Sequence, residues 1–303
     1  MIDVVCNLCG QDNWVVQFPA TMNGRLPDVS AFRCTSAEYG SHAQIVRCNQ
    51  CGLVYANPRW SDEELVALYE AVEDNTYSEE REGRELTFRK HLQAMERVVG
   101  QANGRSLLDV GAYIGVFVEV AQQAGWNAYG VEPSQWAVDA ARRRGLPLIQ
   151  GTQDAPALAG CQFDVVTMWD VIEHVTDPAG EIAKARRLLK PGGWLLLHTM
   201  DSDSKLARLM GGRWPWLMDM HLYYFSQKTL AAMLEKQGFE VVWSGAQGRY
   251  LRLGYVATRI AGLNRPLGRL AHAIVHGLRL QEVAVPLNFG DLFTIYARRR
   301  LET

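Results

Sequence analysis

The sequence predicts an α/β protein in which a mostly parallel, doubly wound sheet follows a small N-terminal unit. Two observations predict the sheet: from Ser106 onward short apolar runs alternate with helical stretches, and a glycine-containing turn follows the first run. Two C-x-x-C pairs within the first sixty residues predict the separate N-terminal unit. The chain of 303 residues is long enough for one large domain and a small one.

The composition is that of a soluble globular protein. Hydrophobic residues make up 48% of the chain, and the formal net charge of -2 gives no reason to expect a nucleic-acid partner. The chain begins without the basic start and apolar run of a signal peptide, and no stretch of about 18 apolar residues predicts a transmembrane helix. Six cysteines are too few for a disulfide scaffold of this length, so the cytoplasm is the expected location.

The two cysteine pairs predict a metal site. Two thiolates three positions apart on a tight turn can face one ion, and two such pairs supply the closed tetrahedral ligand set of structural zinc. A redox C-x-x-C is the alternative, but it is normally single and followed by a helix. We therefore expect residues 1–60 to form a zinc ribbon with four ligands: Cys6, Cys9, Cys48 and Cys51. Cys34 and Cys161 lack partners at ligand spacing and are expected to be ordinary small apolar residues.

Segment 61–104 is predicted to be a helical linker or lid before the main domain, 105–303. Ser61 followed by Glu64 has the pattern of a capping box, which begins a short helix. A second helix is expected at about 84–100.

In the main domain predicted strands alternate with predicted helices. The strands are expected at 106–110, 128–132, 147–150, 163–168 and 194–198. The helices are expected at 115–124, 135–144, 178–189 and 227–237. In such a sheet ligands bind at the carboxyl ends of the strands, where turn amides and helix N-termini point.

The first strand-to-helix turn has the features of a nucleotide-cofactor site. Gly111 and Gly115 let a ligand approach the backbone closely. Glu132, the first acidic residue after the second strand, can accept hydrogen bonds from both hydroxyls of a ribose. Many nucleotide-cofactor folds share this arrangement, so it does not name the cofactor by itself.

Four motifs in order resemble those of class I S-adenosylmethionine-dependent methyltransferases. They are DVGAYIG at 109–115, VEPS at 131–134, FDVVTMWDVIEHV at 163–175 and LLKPGGW at 188–194. The resemblance covers roughly 105–245 and implies a Rossmann-like, seven-stranded sheet with two antiparallel last strands, expected at 239–244 and 292–297. A nicotinamide dehydrogenase is the competitor, but it usually has G-x-G-x-x-G, which this turn lacks. The ribbon also resembles one fused to a methyltransferase subfamily that acts on sugars and natural products.

The resemblance implies S-adenosylmethionine as the cofactor. The first loop would hold its methionine end, Glu132 its ribose and the residues after the third strand its adenine. Tyr113 stands where the family commonly has a further glycine, and its phenol can lie along the cofactor. For Trp169 the alternative to a place beside the cofactor is that of a core aromatic. The implied cofactor-binding residues are Asp109, Gly111, Ala112, Tyr113, Gly115, Glu132, Pro133, Thr152, Gln153, Trp169 and Asp170.

Candidate catalytic residues lie on the acceptor side. Methyl transfer from a sulfonium is an in-line displacement that depends on holding the nucleophile near the methyl carbon, and an oxygen nucleophile also needs a base. His221, in the aromatic-rich loop 214–226, and His174, after the fourth strand, are the candidates. The sugar methyltransferases that the chain resembles place a tyrosine near such a histidine, which would be Tyr77. His198 is expected to be structural.

An insertion at about 246–288 is predicted to be helical and basic. From Ala246 to Gln281 it has six arginines and no acidic residue. Its apolar residues share one helical face opposite the basic ones: Leu267, Leu270, Ile274 and Leu278. Three interpretations follow: a cover packed on the domain with a solvated basic face, contact of 265–279 with an anionic membrane, or a clamp for a phosphate-bearing substrate.

The sequence thus predicts methyl transfer to a small-molecule acceptor, with a hydroxyl of a sugar or glycan precursor, phosphate-bearing or lipid-linked, as the first choice. A natural-product or quinone-type methyltransferase is one alternative. A zinc-ribbon interaction module without turnover is another. The acceptor atom and the oligomeric state do not follow from the sequence.

Overall fold

The computed structural model describes residues 1–22, 24, 26–33, 35–36, 39–74, 77 and 80–301. Its strands are β1 Trp14–Phe18, β2 Ile45–Cys48, β3 Val54–Ala56, β4 Ser106–Val110, β5 Asn127–Glu132, β6 Leu148–Gln150, β7 Phe163–Trp169, β8 Leu189–Met200, β9 Tyr223–Tyr224, β10 Phe239–Ala246, β11 Arg249–Arg252, β12 Ala284–Leu287 and β13 Leu292–Arg299. Its α-helices are α1 Asp62–Glu70, α2 Arg81–Val99, α3 Val116–Gln123, α4 Gln135–Arg142, α5 Pro178–Leu188, α6 Lys205–Met210, α7 Gln227–Lys236, α8 Leu253–Leu263 and α9 Arg265–Gly277.

The predicted doubly wound sheet is confirmed. In the described chain seven strands pair in the order β10-β13-β8-β7-β4-β5-β6, with β4 to β8 mutually parallel and β13 antiparallel to both of its neighbours. The central strands are buried on both faces, which explains why their sequences are nearly continuous apolar runs. β8 is longer than the predicted 194–198, because Leu189 already pairs with Phe163 ahead of an irregularity in register.

Local capping fixes several helix starts as the sequence predicts. Ser61 and Glu64 form both hydrogen bonds of a capping box at the start of α1. The Ser134 hydroxyl accepts from the Ala137 amide and begins α4 directly after the second strand of the main sheet.

A second sheet joins the N-terminal segment to the main domain. Its strand order in the described chain is β1-β2-β3-β9, so the last strand comes from residues 223–224, far beyond the predicted ribbon boundary at 60. Val54 pairs with Tyr224 and Tyr55 with Tyr223, antiparallel. Cys34 lies outside the described residues, and Cys161 is exposed.

The insertion differs from the predicted, purely helical one. The antiparallel pair β11 and β12 frames it, and α8 and α9 form a hairpin between them. The packing face of α9 centres on Gly268, the one residue of this helix that is fully buried among those described. A Cβ on Gly268 would lie 2.2 Å from the Cα of Ala261, so only glycine permits this helix crossing.

The interpretation of α9 as a cover packed by its apolar face is wrong. The leucine and isoleucine side chains of the predicted apolar face are more than half exposed: Leu267 56%, Leu270 58%, Ile274 51% and Leu278 64%. Among the helices that the structure describes, none is both long and apolar enough to cross a membrane.

Candidate functional site

The turn after β4 brings the backbone close to a cavity. Gly111 has a φ of +69°, and a Cβ there would lie 2.5 Å from the Cγ2 of Val171. Gly115 has a φ of +76° and begins α3. Both positions therefore require glycine, as the sequence pattern indicates.

Tyr113 occupies the turn in the left-handed region, with a φ of 48°. This explains why a glycine is the more common residue at such a position, since a side chain there costs about 1–2 kcal/mol. Its ring lies edge-on to Tyr77 at a centroid distance of 4.4 Å and 5.8 Å from the ring of Trp136. The Arg84 guanidinium covers the ring of Tyr77 at 3.5 Å.

A cavity of about 360 Å³ lies at the carboxyl ends of the parallel strands. It brings together most of the site residues predicted from the sequence: Tyr77, Gly111, Tyr113, Glu132, Pro133, Thr152, Gln153, Trp169, Asp170, His174 and His221. Three predicted cofactor-binding residues are not among the described residues that line this cavity. Asp109 lies on β4, and Ala112 and Gly115 lie in the turn that follows it.

Glu132 is held by two backbone amides at the end of β5. One carboxylate oxygen accepts from the Tyr113 amide and the other from the Ser134 amide, each at 2.9 Å. Burial raises the pKa of Glu132 to about 7, and the two amide donors oppose this rise. The carboxylate keeps free lone pairs toward the cavity, so it can accept further hydrogen bonds from a diol.

Asp109 is buried beneath the turn. It accepts a hydrogen bond of 2.7 Å from the Thr167 hydroxyl of β7, and burial raises its pKa to about 8. This contact joins the ends of β4 and β7.

Gln153 presents an unsatisfied acceptor to the other end of the cavity. Its Nε2 donates to the main-chain oxygen of Glu181 at 3.1 Å and to the carboxylate of Glu181 at 2.6 Å. Its Oε1 is buried and has no hydrogen-bond partner among the described residues. A ligand with an amino group would satisfy it.

His221 and His174 lie side by side at the opposite end, with ring centroids 4.8 Å apart. His221 Nδ1 donates to the Trp216 carbonyl at 2.6 Å, and His174 Nδ1 donates to the Met220 carbonyl at 2.9 Å. In His221 Nε2 is therefore an acceptor, whereas His174 Nδ1 also contacts the Tyr69 hydroxyl at 2.7 Å. Burial lowers the pKa of His221 to about 3, and that of His174 is also lowered by burial, so both are neutral at physiological pH.

Glu173 adds a buried carboxyl group to this end. Its Oε2 has no hydrogen-bond partner within the described chain, and burial raises its pKa to about 8, with a contribution from Asp170. One ligand atom each from Glu173, His174 and His221 lie within 4.8 Å of one another, a spacing that can hold a metal ion.

A second cavity of about 390 Å³ adjoins the first and shares Trp169 and Asp170 with it. Asp170 has a φ of 56° and forms an ion pair of 2.5 Å with Arg249. His198 Nδ1 donates to the Thr294 hydroxyl at 2.8 Å, while its buried Nε2 lies 4.0 Å from Asp170 without a hydrogen-bond partner among the described residues, so its structural role stays a prediction. Arg249 could not be predicted as a site residue. It lies 79 positions from Asp170, and the sequence around it carries no sign of this pairing.

The four predicted zinc ligands come together. The sulfurs of Cys6 and Cys51 are 3.4 Å apart and those of Cys9 and Cys48 are 3.5 Å apart, and all four lie within 4.8 Å. Each pair ends in a left-handed glycine whose amide donates to the carbonyl of the first cysteine. These distances are far longer than the roughly 2 Å of a disulfide.

The sequence is similar to those of known methyltransferases. Residues 79–244 match the family model described as a methyltransferase domain. The ubiquinone biosynthesis O-methyltransferase of Bordetella avium is 28% identical over 172 residues, which cover 52% of this chain and 70% of that protein. The protein of the same name from Methylococcus capsulatus is 38% identical over 109 residues, which cover 34% of this chain and 46% of that protein, about half its length.

A solved structure agrees on the fold. The crystal structure of a SAM dependent methyltransferase from Archaeoglobus fulgidus is matched with a TM-score of 0.51 at 15% identity, over 75% of this chain and all (100%) of that one.

Proposed function

The chain belongs to the methyltransferase-domain family and is an S-adenosylmethionine-dependent methyltransferase, and we propose that it methylates a hydroxyl of a small phenolic or quinone-type ring. The observation that carries the proposal is the neutral His221, whose free Nε2 lies in the same cavity as Asp170 and Glu132. The sugar or glycan hydroxyl, the first choice from the sequence, has no comparable support from the relatives reported above.

The cavity fits the cofactor by its own chemistry. Glu132 offers acceptors for the ribose hydroxyls, and the unsatisfied Gln153 Oε1 suits the exocyclic amine of adenine. Gly111, where a Cβ would clash with Val171, lets the turn pack against that residue in the wall of the cavity. The cofactor supplies a methyl group on a positively charged sulfur, and the chain must place an acceptor oxygen in line with it.

His221 is proposed as the base that takes the acceptor's proton. With the cofactor bound, the acceptor oxygen would take the methyl group from its sulfonium, which would leave as the neutral thioether, and His221 Nε2 would hold the proton of the acceptor hydroxyl. His174, whose Nδ1 is fixed by Met220, would hold the same hydroxyl from the side. Tyr77 contacts Tyr113 and Arg84, so we propose that it closes the cofactor end of the cavity.

A neutral histidine takes a proton more readily from an acidic acceptor. A phenolic hydroxyl has a pKa of about 10, whereas an aliphatic hydroxyl is closer to water at about 15.7. Because burial lowers the pKa of His221, a phenol is the acceptor whose proton it can take more readily. The apolar wall beside it suits a flat ring: Phe32, Tyr69, Trp216, Met218 and Met220.

The cysteine cluster is proposed as a structural zinc site. Zinc–sulfur bonds of about 2.3 Å in a tetrahedron place sulfurs about 3.8 Å apart, near the separations seen here. Four thiolates leave no open coordination position, so the ion would have no part in the transfer itself.

The test is methyl transfer to a simple catechol, compared with a simple hexose glycoside. His221→Asn keeps a donor for the Trp216 carbonyl but lacks the Nε2 acceptor, and it should cut turnover of the catechol roughly 10²–10⁴-fold. Cofactor affinity, measured by calorimetry, should not change. His272→Asn, outside both cavities, is the matched control. Full turnover in His221→Asn would show that His221 is not the base. Methylation of the glycoside and not of the catechol would show that the acceptor is not phenolic.

A further inference from the structure

The α8–α9 hairpin carries an apolar surface that the described chain leaves uncovered. The stripe on α9 consists of four side chains that are each more than half exposed: Leu267, Leu270, Ile274 and Leu278. Two other apolar side chains are also exposed: Leu263, the last residue of α8, at 52%, and Phe289, just past the insertion, at 67%. A contiguous patch of this kind is uncommon on a monomer without a binding role.

The opposite side of the same helix is basic. Arg265 and Arg269 of α9 are exposed, as is Arg279, which lies just past its end with a φ of 56°, and their guanidinium groups have no hydrogen bond or ion pair with another described residue. The other arginines of the insertion are paired inside the protein, for example Arg249 with Asp170 and Arg252 with Glu80. The unpaired positive charge is therefore concentrated on α9.

Two further exposed apolar side chains line the second cavity. Leu263 and Phe289 lie in its wall, and so does Asp170, which this cavity shares with the one that holds the proposed transfer site.

We propose that the α8–α9 hairpin is a docking surface for an anionic lipid bilayer. The stripe would enter the boundary between headgroups and acyl chains, and the arginines would meet lipid phosphates. A second copy of this chain fits less well, because a symmetric pairing of the stripe would leave the arginines on the opposite side without an anionic partner. The docking surface does not depend on which acceptor is methylated.

The experiment measures co-flotation of the full chain with vesicles, without any turnover. Vesicles of phosphatidylglycerol mixed with phosphatidylcholine should bind the protein, and pure phosphatidylcholine vesicles should bind it at least tenfold more weakly. The variant Leu267→Ser, Leu270→Ser, Ile274→Ser should lower binding to the anionic vesicles more than tenfold. The control Val15→Ser, Leu209→Ser, Val242→Ser removes three apolar side chains elsewhere that are 52%, 85% and 47% exposed, and it should bind as the wild type does.

A charge variant tests the other half of the surface. Arg265→Gln, Arg269→Gln, Arg279→Gln should lower binding to anionic vesicles by roughly fivefold for each arginine and leave binding to neutral vesicles unchanged. Light scattering of the same variants reports the oligomeric state. Wild-type binding by the serine variant of α9 would overturn the proposal. A wild-type protein that is dimeric and becomes monomeric only in this variant would also overturn it.

Discussion

Tyr55 of β3 lies opposite Tyr223 of β9, and their rings stack with centroids 6.3 Å apart at an interplanar angle of 26°. β3 pairs on its other side with β2, which ends at Cys48, and β9 begins two residues after His221. The cysteine cluster and the proposed base are therefore joined through one small sheet.

Loss of the metal should reach the acceptor side through this sheet. Cys48→Ser should remove about one zinc per chain in metal analysis and lower turnover by displacing His221, because the ribbon folds with its ion. Cofactor affinity should change little, since Glu132 ends β5 and Gln153 follows β6 of the main sheet. Cys161→Ser, an exposed cysteine outside the cluster, is the matched control. Normal turnover in a metal-free, folded Cys48→Ser protein would contradict the link.

The ribose contact should depend on the charge of Glu132. Glu132→Gln replaces one carboxylate oxygen by an NH₂ group, which cannot accept from the Tyr113 or Ser134 amide. We expect at least a tenfold loss of S-adenosylmethionine affinity by calorimetry. The exposed Glu235→Gln should bind the cofactor as the wild type does. Equal cofactor affinity in the two variants would show that Glu132 does not bind the cofactor.

Gly111 allows a clash to be separated from backbone strain. Gly111→Ala should lower the free energy of unfolding by more than the 1–2 kcal/mol of the left-handed φ alone, because the new Cβ meets Val171. Gly104→Ala has a similar φ of +75° and nothing within 4 Å, so it measures the strain without the contact. Equal losses of unfolding free energy in the two variants, measured by denaturant unfolding, would mean that the contact with Val171 relaxes without a cost in stability.

Buried His91 should make the fold sensitive to acid. Burial lowers its pKa to about 4, while the unfolded chain has the ordinary value near 6.5. Between these values the unfolded state binds the extra proton, so this group's contribution to stability falls as pH falls, by up to about 1.4 kcal/mol per pH unit.

His91→Gln isolates that contribution. Glutamine can still donate to the Gly248 carbonyl, which His91 Nε2 meets at 3.1 Å, but it does not titrate. The variant should therefore lose less stability than the wild type between about pH 6.5 and 4, as measured by denaturant unfolding at each pH. Parallel curves for the two proteins would show that His91 is not the group that titrates.

The sheet could be predicted because its signals are local. Runs such as Leu107 to Val110 are apolar over a strand length, and Ser61 with Glu64 marks a helix start through contacts within one turn. The turn glycines at 111 and 115 likewise report backbone geometry at their own positions.

What could not be predicted depends on distant parts of the chain. β9 is two residues long and forms only because β3 offers an edge. The pairing of Asp170 with Arg249 joins separate elements, and neither residue carries a local sign of it. Periodicity also identified the apolar face of α9 but not its exposure, because the Gly268 crossing decides which face packs.

The pairing of β3 with β9 also bears on how the chain tolerates truncation. A protein shortened to begin at residue 61 would lose β1, β2 and β3 and leave the backbone of Tyr223 and Tyr224 without its partner strand. An uncovered edge of this kind can recruit a strand from a neighbouring molecule. The N-terminal segment thus covers the backbone of Tyr223 and Tyr224, and we expect the shortened protein to associate with itself more readily than the full chain does.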